Sequence, residues 1–298
     1  MKRVDIKLTF QCNNRCLFCV QGSKRNGAFE KTSGQIKGLL KKMSGSHQEV
    51  IFSGGEATLM PYIVDCVRYA KQLGYTVQIQ SNGRLFCYSD FCQQMGAAGV
   101  DVVSVSVHGH TSELHDALTR VPGSFEQTMN GIRNLLALRL PSVVTNTVIT
   151  SLNYRDLPAL AQMLIGEGVR QYQFAFPHIL GFAYENRGLV VPRKTDVMPF
   201  VIKGLQIGLR NNAFPKTEAI PYCFLKGYEA CCSENYSIET TAVDLQFAGD
   251  FTRWRKEEGK AKGLPCASCS CDSICEGPWR EYPALYGWDE FKPVHHVR

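Results

Sequence analysis

No apolar run in this 298-residue chain approaches the roughly 20 residues needed to span a bilayer. The opening Met1-Lys2-Arg3-Val4-Asp5 likewise lacks the apolar core of an export signal. Neither a membrane partner nor a secretory destination is therefore expected, and the chain is expected to be soluble and cytoplasmic. Internal repeats and low-complexity tracts are missing too, which removes solenoids and repetitive scaffolds. So is a one-sided charge: the formal net charge is +6, but acidic and basic residues are interspersed, and no nucleic-acid partner is expected. Apolar residues are not scarce. At 44% of the chain they can fill one large domain, or one domain with a small appendage.

Cysteine is what the chain has in excess. There are 13, an odd number that internal disulfides cannot consume. In a reducing compartment clustered cysteines point to metal or redox chemistry. Three lie in 12–19 and seven in 223–275, while Cys66, Cys87 and Cys92 are scattered between and read as small apolar fillers.

Residues 4–10 alternate as a strand does, and further β-rich runs fall at 49–53, 75–81, 100–107, 143–150 and 171–176. Segments with helical spacing lie between them, at 33–44, 60–73, 89–98, 124–139 and 155–167. Strands separated by helices of this length need crossover connections, hence a parallel sheet. Six such units fit residues 1–180, too few for a closed eight-stranded barrel. The fold class expected is α/β: a partial (β/α)6 barrel over 1–190, its reactive groups on loops at the strands' C-terminal ends. After Val191-Pro192 the alternation fades, and 191–298 reads as a small cysteine-rich domain.

Cys12-Asn13-Asn14-Arg15-Cys16-Leu17-Phe18-Cys19 has the form C-x3-C-x2-C and follows the first strand directly. Three thiolates on one short loop can take three irons of a 4Fe–4S cube, whereas tetrahedral zinc wants a fourth ligand close by. Ser53-Gly54-Gly55-Glu56 follows the second strand. Glycines there let the backbone approach a ligand, and a carboxylate suits an ammonium. Ser81-Asn82-Gly83 ends the third strand. In this order on successive strands, the motifs resemble the signature of the radical S-adenosylmethionine (SAM) superfamily.

That resemblance implies a fold, a cofactor pair and a chemistry. In the family the iron without a protein ligand binds the amino and carboxylate groups of SAM. An external donor such as a flavodoxin or ferredoxin supplies an electron, SAM is cleaved to methionine and a 5′-deoxyadenosyl radical, and the radical takes a hydrogen atom from substrate. By resemblance Cys12, Cys16 and Cys19 hold the cluster, with Phe18 beside them. Gly54, Gly55 and Glu56 hold the methionine amino group, and Asn82, Ser104, Ser106 and Asn146 are further cofactor contacts. Alternation in the fourth strand puts Ser104, Ser106 and His108 on one face. Where many relatives carry Asp, this chain has His108, read as a substrate contact, a donor behind one, or an ordinary histidine. The cluster His108, His110, His115 and Asp116 reads as substrate-facing or solvated, and the basic stretch 253–262 as solvated.

Near the C-terminus, Cys266-x2-Cys269-x5-Cys275 matches the auxiliary-cluster spacing of the twitch and SPASM subdomains of radical SAM enzymes. With Cys223 as fourth ligand these cysteines are expected to bind an auxiliary 4Fe–4S cluster. Zinc in the same thiolates is the alternative, because spacing does not choose the metal. Trp279 stands where a full SPASM pattern has another cysteine, which favours a single auxiliary cluster. Cys231, Cys232 and Cys271 are unassigned. Each could replace Cys223 as ligand or, like Cys223 itself, return a hydrogen atom to a substrate radical.

The substrate expected is a ribosomally synthesised peptide. A small molecule such as an aminoglycoside or cofactor precursor, epimerised, dehydrogenated or rearranged, is the alternative, and a non-enzymatic metal-binding module is the remaining reading. The cluster loop begins at Cys12, so no leader-binding domain is expected ahead of it, and a separate peptide-recognition protein is a further expected partner.

Overall fold

The computed structural model describes residues 1–27, 30–244 and 248–295. Nine strands form one sheet: β1 (Lys2–Thr9), β2 (Glu49–Gly54), β3 (Thr76–Ser81), β4 (Val102–Ser106), β5 (Ser142–Val148), β6 (Gln171–Ala175), β7 (Phe214–Glu218), β8 (Glu239–Val243) and β9 (Ala248–Asp250). Their spatial order is β7-β6-β5-β4-β3-β2-β1-β8-β9. Every pairing is parallel except that of β9 with β8. The crossovers carry α1 (Ser33–Met43), α2 (Ile63–Gln72), α3 (Ser89–Ala98), α4 (Ser112–Thr119), α5 (Ser124–Ala137) and α6 (Leu157–Gly166). Two single turns, α7 (Phe182–Glu185) and α8 (Arg187–Val190), precede α9 (Lys194–Arg210), and α10 (Phe251–Trp254) and α11 (Glu281–Tyr286) complete the chain. Among the described residues no helix is long and apolar enough to cross a membrane.

The sheet's two faces follow from alternation. Val4, Ile6, Leu8, Phe52, Val77, Ile79, Val103, Val105, Tyr172 and Phe174 point to the helices and are fully buried. The opposite, inner face carries Asp5, Lys7, Gln78, Ser104, Ser106, Asn146, Gln173 and Glu218, and most of it is only partly covered. A polar inner face on strands whose C-terminal ends all point one way puts the chemistry at that end.

The alternation continues one unit beyond the expected fading after Pro192. Helix α9 leads to β7, which pairs with β6 from Gln171↔Phe214 to Ala175↔Glu218. Glycine masks α9 in the sequence. A Cβ on Gly204 would sit 2.6 Å from the Phe174 ring, and one on Gly208 would sit 2.3 Å from Tyr172 Oη, so the helix lies too close on β6 for larger residues. Pro215 similarly masks β7, and it is tolerated because β7 is an edge strand.

Candidate active site

The first cysteine loop leaves β1 at its C-terminal end and is held from three sides. Its backbone lies along the end of α4, where Arg15 N donates to Thr119 O (2.8 Å) and Leu17 N to Leu118 O (3.0 Å). The turns α7 and α8 hold its far end: Phe182 N donates to Cys19 O at 2.9 Å and Asn186 Nδ2 to Leu17 O at 2.8 Å. Arg84 clamps the near end. Its Nη1 donates to Asn13 O (2.5 Å) and Asn14 Oδ1 (3.0 Å), and its Nε to Gln127 Oε1 (2.6 Å). Sequence reasoning missed Arg84, whose one available signal was its place directly after Ser81-Asn82-Gly83.

Burial pushes the Cys12 thiol up to about 11, with the charges of Glu56 and Cys19 adding to the effect, and burial raises Cys16 as well. Such thiols keep their protons at neutral pH unless a metal replaces them. Asn14 N (3.4 Å) and Asn82 Nδ2 (3.8 Å) both approach Cys12 Sγ as donors, the support that ligating sulfur takes in iron–sulfur sites. Among the described residues no three His, Cys, Asp or Glu side chains draw together as a single metal ion demands. A cube asks for less convergence, one thiolate per iron, and three half-buried thiols on one loop fit it.

Glu56 is 1% exposed and joins the ends of two strands. Its Oε1 accepts from Thr58 N (3.1 Å), Thr58 Oγ1 (2.6 Å) and Ser81 Oγ (2.8 Å), and its Oε2 from Asn82 N (2.6 Å). Burial raises its pKa against these hydrogen bonds. A carboxylate has about four lone-pair sites, and Oε2, holding one donor, keeps room for an ammonium. The glycines before it are demanded by the protein's own backbone. Gly54 has φ +131, and a Cβ there would sit 2.2 Å from Thr9 O; one on Gly55 would sit 2.2 Å from Gln11 O.

Ser106 faces Asn146 in register across β4 and β5. Gln173 Nε2 extends this polar strip, donating to Asn146 Oδ1 (3.3 Å) and Glu218 Oε2 (2.7 Å). Neither Gln173 nor Glu218 was legible beforehand. His108 does not share the partial exposure of Ser104 and Ser106. It is 4% exposed, meets the Phe18 ring edge-on at 4.7 Å and stacks on His115 at 5.8 Å. Burial, with His115 alongside, pushes its pKa down to about 3, and burial pushes His115 to about 4. Both are buried neutral histidines beside the cluster loop, so the solvated reading of the cluster does not hold for them, and of the three readings of His108 the ordinary histidine is the one its packing fits.

A second site, a cavity of about 30 Å³, is lined by Cys223, Cys266, Cys269, Cys271 and Cys275, together with Tyr222 and Phe291. Val294 N donates to Cys269 Sγ (3.3 Å) and Gly277 N to Cys275 Sγ (3.4 Å). Burial lifts the Cys223 thiol to about 12, with the charges of Cys275, Cys269 and Cys266 adding to it. Cys231 and Cys232 are buried but lie outside this lining, and Cys232 Sγ donates to Glu234 Oε2 (3.2 Å). The basic stretch is not wholly solvated: the side chain of Lys260 is fully buried, 3.1 Å from Glu234 Oε1 and 4.3 Å over the Trp279 ring. Arg255 pairs with Glu276 at 2.7 Å, both largely buried. Each ion pair offsets a desolvation that an isolated charge could not bear.

Residues 6–164, more than half of the chain, match the family described as the radical SAM superfamily. The chain belongs to that superfamily and is an enzyme of radical SAM type, the class that works with SAM and a 4Fe–4S cluster. Among curated relatives it is 29% identical over 172 residues to an AdoMet-dependent heme synthase of Methanosarcina barkeri, covering 57% of this chain and 49% of that protein. It is 30% identical over 184 residues to a probable GTP 3′,8-cyclase of Saccharolobus islandicus, covering 61% and 58%. The match thus spans only about half to three-fifths of those relatives. In fold the chain is similar to Streptococcus suis SuiB bound to SAM, with a TM-score of 0.70 at 15% identity over 98% of this chain and 76% of that one. It is also similar to anSMEcpe with bound AdoMet, with a TM-score of 0.68 at 13% identity over 94% and 90%.

Proposed function

We propose that this enzyme modifies a ribosomally synthesised peptide by hydrogen-atom abstraction, with the barrel in residues 1–190 and a twitch- or SPASM-like domain in 191–298. Cys12, Cys16 and Cys19 hold the SAM-binding cluster. Cys223, Cys266, Cys269 and Cys275 hold an auxiliary one, with Cys271 the substitute nearest the cavity. Held there and reduced by an external donor such as a flavodoxin or ferredoxin, the first cluster would supply the one electron for reductive cleavage of SAM to methionine and a 5′-deoxyadenosyl radical. The protein's own residues do the positioning. Glu56 and the Gly54-Gly55 turn present acceptors to the methionine ammonium, and the strip Ser104, Ser106, Asn146 orients the rest of SAM. Gln173 and Glu218 present polar groups to substrate at the strand ends.

The observation that carries the cofactor reading is the single hydrogen-bonded cradle made by Cys12–Cys19, Glu56, Asn82 and Arg84. The peptide reading is supported by the fold likeness to SuiB, one structure of which is described as bound to the precursor peptide SuiA. The names of the heme synthase and GTP cyclase relatives favour a small molecule as the second reading. Anaerobic reduction in the presence of SAM should release 5′-deoxyadenosine, and co-expression with short open reading frames adjacent to the gene should yield a peptide changed in mass. A peptide of unaltered mass, alongside 5′-deoxyadenosine release stimulated by small metabolites, would reverse the order of the two readings.

A further inference from the structure

Arg25 sits in the 3-10 turn Gly22–Asn26 that follows the cluster loop directly, and that turn is tied back by Gly22 N donating to Cys19 O at 3.1 Å. Its guanidinium carbon lies over the Phe182 ring, 4.5 Å from the centroid, while Phe182 N holds the same Cys19 carbonyl. The turn that carries Arg25 and the ring it stacks on are thus both anchored to the Cys19 carbonyl. Its Nη1 is nonetheless buried without a hydrogen-bond partner, and no carboxylate pairs with Arg25 among the described residues. A buried, fixed and unanswered guanidinium N–H is costly unless something else fills its demand. The Arg25 charge also acts on Cys16, opposing the burial of that thiol.

Anion is what the loop would gain on loading. Three thiolates outweigh the charge of an oxidised cube, and SAM, although cationic overall, brings a carboxylate to the same place. A guanidinium is the side chain suited to such acceptors. We propose that Arg25 is an anion-binding residue of the loaded SAM–cluster site, its free N–H donating either to the SAM carboxylate or to a cluster sulfur. The assignment rests on the cluster being held by Cys12, Cys16 and Cys19.

The test uses the full chain, reconstituted anaerobically, as wild type, Arg25→Gln and Arg25→Lys. Iron content is measured first and should be the same in all three. SAM affinity, read from the change SAM causes in the reduced cluster's electron paramagnetic resonance, should fall roughly ten- to a hundred-fold in Arg25→Gln and recover largely in Arg25→Lys. If the carboxylate is the acceptor, decarboxylated SAM binds all three proteins alike. If a cluster sulfur is the acceptor, the SAM-free midpoint potential moves negative in Arg25→Gln and returns in Arg25→Lys. Full iron with unchanged SAM affinity and potential in Arg25→Gln overturns the proposal. So does loss of iron in both variants, which would make Arg25 a structural peg. A wild-type protein whose iron uptake is insensitive to replacing Cys12, Cys16 and Cys19 would overturn the cluster assignment as well.

Discussion

Gly55 is the residue where shape leaves least latitude. An added methyl would meet two carbonyls of the cluster loop's entry, Gln11 O at 2.2 Å and Phe10 O at 2.3 Å, and backbone cannot step aside as a flexible side chain can. Gly55→Ala should therefore destabilise the apoprotein by about 1–3 kcal/mol or more and lower iron uptake together with SAM affinity. Thermal unfolding and iron analysis check this, and full iron uptake in the variant would contradict the close packing. His108 and His115 give a second, pH-dependent expectation. Unfolded, each titrates near about 6.5, but folded they are held at about 3 and about 4. The unfolded chain then binds more protons, so stability present above about pH 6.5 is lost as pH falls, at up to about 1.4 kcal/mol per unit for each histidine. The unfolding midpoint of the apoprotein should drop between about pH 6.5 and 5, and His108→Gln should remove about half the slope. The cysteines were legible at this scale because ligand spacing is local. Arg84 and Arg25 were not, since Arg84 grips a side chain 70 positions away and Arg25 stacks on Phe182.

Among the elements, α4 does most to carry the cluster loop, and its anchorage comes from an unusual direction. Helix α5 begins at Ser124, and Gly123 before it offers no side-chain cap. Asp116 of α4 supplies one instead, accepting from Gly123 N (2.6 Å), Ser124 Oγ (2.8 Å) and Phe125 N (2.8 Å). Those hydrogen bonds hold the Asp116 carboxyl below its usual range against a burial effect that raises it. Asp116→Ala should cost about 1–2 kcal/mol, the scale of a lost helix cap, and loosen the loop that Leu118 and Thr119 support. Chemical denaturation of the apoprotein measures the first effect, and faster iron loss to a chelator the second. An unchanged chelation rate would mean that α7 and α8 hold the loop unaided. The spacing Ser112–Thr119 is too short and too rich in polar residues to announce this helix. By contrast α2, α3, α5 and α6 were legible from periodicity, and the six central strands from alternation.

At the level of the whole molecule, cysteines far apart in sequence resolve into two separate sets, one at the end of β1 and one around the second cavity. Reconstitution should load about two 4Fe–4S clusters, and the triple replacement of Cys12, Cys16 and Cys19 by Ala should leave about one. Cys223→Ala should lose iron from the remaining site, whereas Cys231→Ala and Cys232→Ala should keep it. Mössbauer spectra distinguish these outcomes, and full iron in Cys223→Ala with loss in Cys271→Ala would move the ligand to Cys271. The sheet carries a further consequence, for the order of events in the cell. Strand β1 is flanked by β2 on one side and, on the other, by β8, whose pairing runs from Lys2↔Glu239 to Ile6↔Val243. On the ribosome β1 is made some two hundred residues before β8, so its second edge stays uncovered until β8 follows, and until then it is open to pairing with another chain. A truncation after residue 220, which removes β8 and leaves that edge of β1 bare, should scatter light as it aggregates where the 298-residue chain does not.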